Sequence, residues 1–356
     1  MEKLSGKQTL KSQNGFLFKR LCLFFLLFYL LLQETVMAQP IERDYWINIH
    51  TQGSAWSLRV NDLVVYSNGG TGHRSFSYPI STSMKEGQNT VSFIFAPIKG
   101  QDPKNGEYQQ GPKEDFWVDI SIEAINTQTS EKERLNTLLL RYDMDTGELV
   151  SYDTPMGSDG LVHDTEHLHT NGQFYVNSPD LLVVDTGEIV EAERVDMNFR
   201  VSDPIPDFTW KGETTELQDT PLLRHELRQA YRRIYRLFED GDTEGILREF
   251  GPVWDRAGLL MAGGMGAREY IESAPIGSQL VGISQKPDGP RLNTLRLADE
   301  AVDDSLEFMG DGRLVRILPS PLNWSYPDQA NKEGHVMPIV FYRTAAGEWR
   351  IAAVDS

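Results

Sequence analysis

The hydrophobic and polar positions of this chain change their period near its middle. From Tyr45 to about Trp210 apolar and polar residues alternate. Tyr45, Ile47 and Ile49 stand against Trp46, Asn48 and His50; Trp56, Leu58 and Val60 repeat the pattern, and Asn61-Asp62 forms a tight turn into Leu63 to Tyr66. A period of two gives each strand one apolar face. The turn from Lys85 to Asn89 leads into Val91, Phe93 and Phe95, a strand that Pro97 is expected to close. Further strands are predicted at Phe116 to Ile125, Leu135 to Tyr142, Phe174 to Val176, Leu181 to Val184 and Val195 to Val201. This run of short strands without a helical period predicts an all-β sandwich, jelly-roll-like, over residues 39–205. Two irregular stretches interrupt it, a 16-residue loop from Lys99 to Glu114 and another from Asp153 to Gly172.

Beyond a linker over residues 206–219, overlapping the proline-marked stretch Asp203 to Gln218, the period becomes helical. Leu223, Leu227, Ala230, Tyr231, Ile234, Leu237 and Phe238 make one apolar stripe, while Arg224, Arg228, Arg232, Arg233 and Arg236 take the other positions. Thr220 is placed to cap this helix, Pro221 to begin it and Gly241 to stop it. Asp242 caps a second helix carrying Ile246, Leu247 and Phe250, Pro252 starts a new turn with Val253 and Trp254, and Ala267 to Ser273 form a third. Strands follow at Leu280 to Ile283 and Leu292 to Leu297. A hairpin from Leu306 to Leu318 turns at Gly310-Asp311-Gly312, and a hairpin from Val336 to Val354 turns at Ala345-Ala346-Gly347.

Three helices and then a curved antiparallel sheet ending in PIVFYRTAAGEWRIAAV resemble the NTF2-like or SnoaL-like superfamily over residues 220–356. The resemblance implies an α+β cone with a pocket at its open end, where enzymes of the superfamily place an acid or base near a tyrosine. Because the superfamily also includes purely binding and assembly domains, it transfers no function.

Residues 1–38 alter the picture of where the chain works. Lys3, Lys7, Lys11, Lys19 and Arg20 precede a 12-residue apolar run, Leu21 to Leu32, and Val36-Met37-Ala38 is a small-residue cleavage pattern. The run is short of the roughly 20 residues that span a bilayer, so a cleaved signal peptide and a periplasmic or secreted protein are expected. The only cysteine, Cys22, leaves with the leader and takes disulfides and thiolate chemistry with it. Five basic and two acidic side chains leave as well, and the net charge falls from −18 to −21. A field of that sign disfavours nucleic acid and anionic membranes.

Candidate chemistry is sparse. His163, His167 and His169, with Asp164 and Glu166, are the densest group of metal-ligand types, but their spacing fits no zinc pattern and favours an exposed polar loop. In the cone, Tyr231, Asp299, Glu307 and Arg316 are the acid-base candidates; Tyr231 also reads as a core residue, and Glu307 and Arg316 as a cross-hairpin pair. Trp324 and Tyr326, in a loop from Pro319 to Gly334 that interrupts the sheet, together with Tyr235 and Tyr342, are the candidates for holding a ligand or partner. Gly69-Gly70-Thr71-Gly72 follows a strand but precedes no helix, so it fails as a phosphate loop. No cofactor is implied. The expectation is an exported, non-enzymatic binding or assembly protein whose ligand or partner and oligomeric state are unspecified. The alternatives are a small-molecule binder or isomerase/dehydratase-type enzyme using the cone, a metal-dependent sandwich, and an inhibitor or immunity factor for a basic protein.

Overall fold

A computed structural model of the chain describes residues 42–102, 104, 107–151, 175–183, 189–212, 214–261, 263–273, 295–299, 304–324 and 335–354. The leader with Cys22, the His163 to His169 cluster, the strand expected at Leu280 to Ile283, and Tyr326 lie outside the described residues.

The N-terminal part is β-rich and antiparallel. One sheet runs in the order β4-β1-β7-β8-β9, built from β1 (Arg43–Gln52), β4 (Arg74–Pro79), β7 (Trp117–Asn126), β8 (Lys132–Tyr142) and β9 (Leu149–Ser151). The other runs β10-β11-β5-β2-β3, from β10 (Tyr175–Val183), β11 (Ile189–Val201), β5 (Gly87–Gln101), β2 (Ser54–Val60) and β3 (Leu63–Asn68), with β6 (Tyr108–Gln110) added to the end of β5. The alternation read from the sequence explains how they pack. Tyr45, Ile47 and Ile49 of the first sheet share one buried core with Trp56, Leu58, Phe93 and Phe95 of the second, each contributing roughly 1.5–3 kcal/mol. Asn61 and Asp62 both take positive φ, 51° and 65°, the geometry a two-residue hairpin turn needs.

Several expected boundaries move. Pro97 does not close β5, which continues to Gln101. Ile98 donates from its N–H to the Gly53 carbonyl, while Pro97 faces the opposite side and accepts from Gly111. On that side β11 pairs no further than Phe95, so the β11 ladder takes no N–H from Pro97. The loop expected from Lys99 to Glu114 therefore contains β6 and the end of β5. The two strands expected around residues 174–184 are one strand, β10, with a register shift between Asn177 and Asp180.

The C-terminal part is α+β. Helix α1 (Pro221–Glu239) is capped by Thr220, whose hydroxyl accepts from Leu223 N at 3.1 Å. It ends where Gly241, at φ 63°, lets Gly241 N reach Phe238 O and Asp242 N reach Leu237 O. Asp242 then caps α2 (Thr243–Met261) through Gly245 N. This helix runs through Pro252 instead of restarting there. Gly251 before the proline has no Cβ to clash with its ring, and Phe250 and Trp254 are buried on either side. After α3 (Ala267–Ser273), the described strands form two sheets and not one. The first has the order β12-β15-β16, from Arg296–Leu297, Leu322–Trp324 and His335–Val336. The second is β13-β14-β17-β18, from Ser305–Met309, Leu314–Leu318, Ile339–Arg343 and Trp349–Val354. The Pro319 to Gly334 stretch thus holds a strand, and His335–Val336 pairs with β15, not within the terminal hairpin. Leu227, Ile234, Phe250, Val315, Phe341 and Ile351 pack α1 and α2 onto the four-stranded sheet.

The stretch from Asp203 to Gln218 is largely packed. Phe208 and Trp210 stack at 5.2 Å and are buried with Leu63 and Val64 of β3 on one side and Met309, Leu314 and Val340 on the other. Leu260 of α2 enters the core of the β-rich part itself.

Candidate functional site

The acid-base candidates of the C-terminal part fall in three different places. Tyr231 lies inside the core, with its ring 4.9 Å from Phe341. Its hydroxyl donates to the Ile339 carbonyl at 3.0 Å and accepts from Ile317 N at 3.4 Å. Burial pushes this phenol well above its ordinary value. Asp299 is exposed beside the short strand β12. Glu307 and Arg316 are cross-strand partners in the β13-β14 register, with Arg316 Nε donating to Glu307 Oε2 at 2.6 Å.

The sequence did not reveal what else Glu307 does. Arg59 of β2 donates from Nη2 to Glu307 Oε1 at 2.9 Å and from Nη1 to Asp62 Oδ1 at 3.0 Å, and Asp62 Oδ2 accepts from Gly310 N at 2.7 Å. The side chains of Arg59 and Arg316 are each 9% exposed and that of Glu307 16%, so these charges lie in a seam between the β-rich and α+β parts, away from bulk water. Arg256 of α2 is a second pin across the seam. It donates to the carbonyls of Thr82, Met84 and Pro206, and its guanidinium lies 4.7 Å from the Phe208 ring. No local spacing announces either contact, because the partners come from the other half of the chain.

Arg228 corrects the expectation that all five α1 arginines occupy the polar face. It is buried, paired with Asp304 and bonded to the Ala298 carbonyl. The binding candidates are also dispersed. Tyr235 donates to Glu239 at 3.1 Å, and that bond raises its hydroxyl. Tyr342 is half-buried against the seam cluster, and Trp324 ends β15 opposite His335.

What the outer face of α1 does form is an open groove of about 560 Å³, lined by Glu226, Gln229, Arg232, Arg236, Gly347 and Trp349, with Ala230 and Leu237 on its floor. Arg233 edges it, donating to Glu249 Oε2 and the Trp349 carbonyl, both at 2.9 Å. At one end Arg343 lies 3.4 Å from Glu226. Among the described residues no three His, Cys, Asp or Glu side chains gather closely enough to hold a metal ion, and no helix is long and apolar enough to cross a membrane. The chain matches no protein-family model, no curated protein and no solved structure.

Proposed function

We propose that this chain is an exported, non-enzymatic binding or assembly protein in which a jelly-roll-like sandwich and an NTF2-like cone act as one unit, with the binding face on the cone. The observation that carries this reading is the use made of Glu307. The carboxylate best placed to serve as an acid or base is held between Arg59 and Arg316, where it joins the two parts. Tyr231 is engaged in the same way by two backbone groups of the sheet. Groups satisfied by structural hydrogen bonds in a packed interior are poorly placed to exchange protons with a substrate. The order of elements, three helices followed by antiparallel hairpins, supports the NTF2-like assignment, and the leader supports export.

Chemical crosslinking of the tagged chain in its own cells, followed by affinity purification, tests the proposal. A partner, or a second copy, recovered in fixed stoichiometry supports it. A chain that elutes alone with and without crosslinker contradicts it.

A further inference from the structure

The arginines of α1 divide into two groups. Arg224 is held by Asp219 and the Asp304 carbonyl, Arg228 by Asp304 and Ala298, and Arg233 by Glu249 and Trp349. Arg232 and Arg236 have no side-chain partner among the described residues, and both line the groove. They differ in this from Arg224, Arg228 and Arg233 of the same helix, each of which has a carboxylate partner.

We infer that this groove binds an acidic peptide segment of a partner protein, whose carboxylates sit on Arg232 and Arg236. The spacing suits such a ligand. Residues four apart on a helix rise about 6 Å, and side chains two apart on an extended peptide are separated by about 6.6 Å on one face. Each guanidinium presents a planar fork of donors that a carboxylate can accept in pairs. Ala230, Leu237 and Trp349 give apolar residues of the same segment a floor, and Gln229 offers an amide to its backbone. At the far end, Glu226 sets the limit of the acidic register, since a third carboxylate there would meet a like charge. Nucleic acid is disfavoured because its phosphate backbone would run past the two arginines onto the surface of a chain of net charge −18, whereas a short acidic segment need not leave the groove. That repulsion is screened beyond about 8 Å at physiological salt, so inside the groove the two arginines dominate.

The inference rests on the reading of the chain as a binding protein and names the chemistry of its partner. Its test is fluorescence anisotropy of a labelled peptide alternating aspartate with leucine, titrated with the full chain. A lysine-leucine peptide and inorganic phosphate are the controls. Saturable binding of the acidic peptide alone is expected. It should weaken about tenfold or more in the Arg232→Ala/Arg236→Ala variant, whose melting temperature should be unchanged because both side chains reach solvent. The Arg232→Lys/Arg236→Lys variant, which keeps charge but loses the forks, should fall between. Absence of binding, equal binding to the alanine variant, or displacement by phosphate at the peptide's own concentration would overturn the assignment. If the peptide fails while the crosslinked partner is still recovered from cells, only the groove assignment is lost. If both fail, the binding reading is lost too.

Discussion

Arg59 of β2 and Glu307 of β13 are 248 residues apart in sequence and meet at 2.9 Å between Nη2 and Oε1. Each is also held by a local partner, Asp62 for Arg59 and Arg316 for Glu307, so the pair joins two hairpins that are individually complete. Removing the carboxylate leaves two arginines facing each other with little solvent. Glu307→Ala is therefore expected to destabilise the chain by about 3 kcal/mol in urea unfolding. A change within about 0.5 kcal/mol would mean that water enters the seam and screens the charges.

Arg256 is expected to hold the two parts in one cooperative transition. Arg256→Ala strands the Thr82, Met84 and Pro206 carbonyls and removes the cation over Phe208, at a cost of roughly 3 kcal/mol or more. A fragment beginning at residue 219 loses the cover that Phe208 and Trp210 give to Met309, Leu314 and Val340. It is expected to fold, to melt below the whole chain and to bind a hydrophobic dye. Differential scanning calorimetry with and without dye checks both, and a fragment as stable as the full chain would show that the seam contributes little.

The acid limb of stability should depend on Asp203. Burial alone would raise this carboxyl, but hydrogen bonds from Arg43 and from the Tyr45 hydroxyl outweigh it and hold the group below its usual value. A depressed carboxylate contributes stability that is complete above its unfolded value of about 4 and is lost as pH falls through the folded one. Asp203→Asn should therefore lower stability at pH 7 and flatten its fall below pH 4. Urea midpoints across pH 2–7 measure this, and an unchanged acid slope would exclude Asp203 as its source.

The local pieces of this fold were legible because local residues determine them. Thr220 and Gly241 bound α1 as read, the Asn61-Asp62 turn adopts the positive φ its residues permit, and alternation assigned the core of the β-rich part from Tyr45 to Phe95. The errors came where a distant element decided. Pro97 can remain in a strand because β11 pairs no further than Phe95, and Arg228 turns inward because Asp304 awaits it. Gly258 is small because a Cβ there would lie 2.2 Å from the Met265 carbonyl, a contact that no helical period reveals. The groove was equally hidden. The five arginines were visible as a polar face, but which of them lack a partner depends on Asp219, Glu249 and Asp304.

The most direct measurement for the central claim places a photo-crosslinking amino acid at Gln229, which lines the groove, and separately at Leu222, which is 64% exposed on the same helix but outside the groove. Irradiation of cells producing each variant, followed by purification under denaturing conditions, reports what each position touches. A discrete adduct from Gln229 and none from Leu222 is expected for a protein that binds its partner through this groove. No adduct from Gln229, or the same diffuse products from both positions, would contradict it.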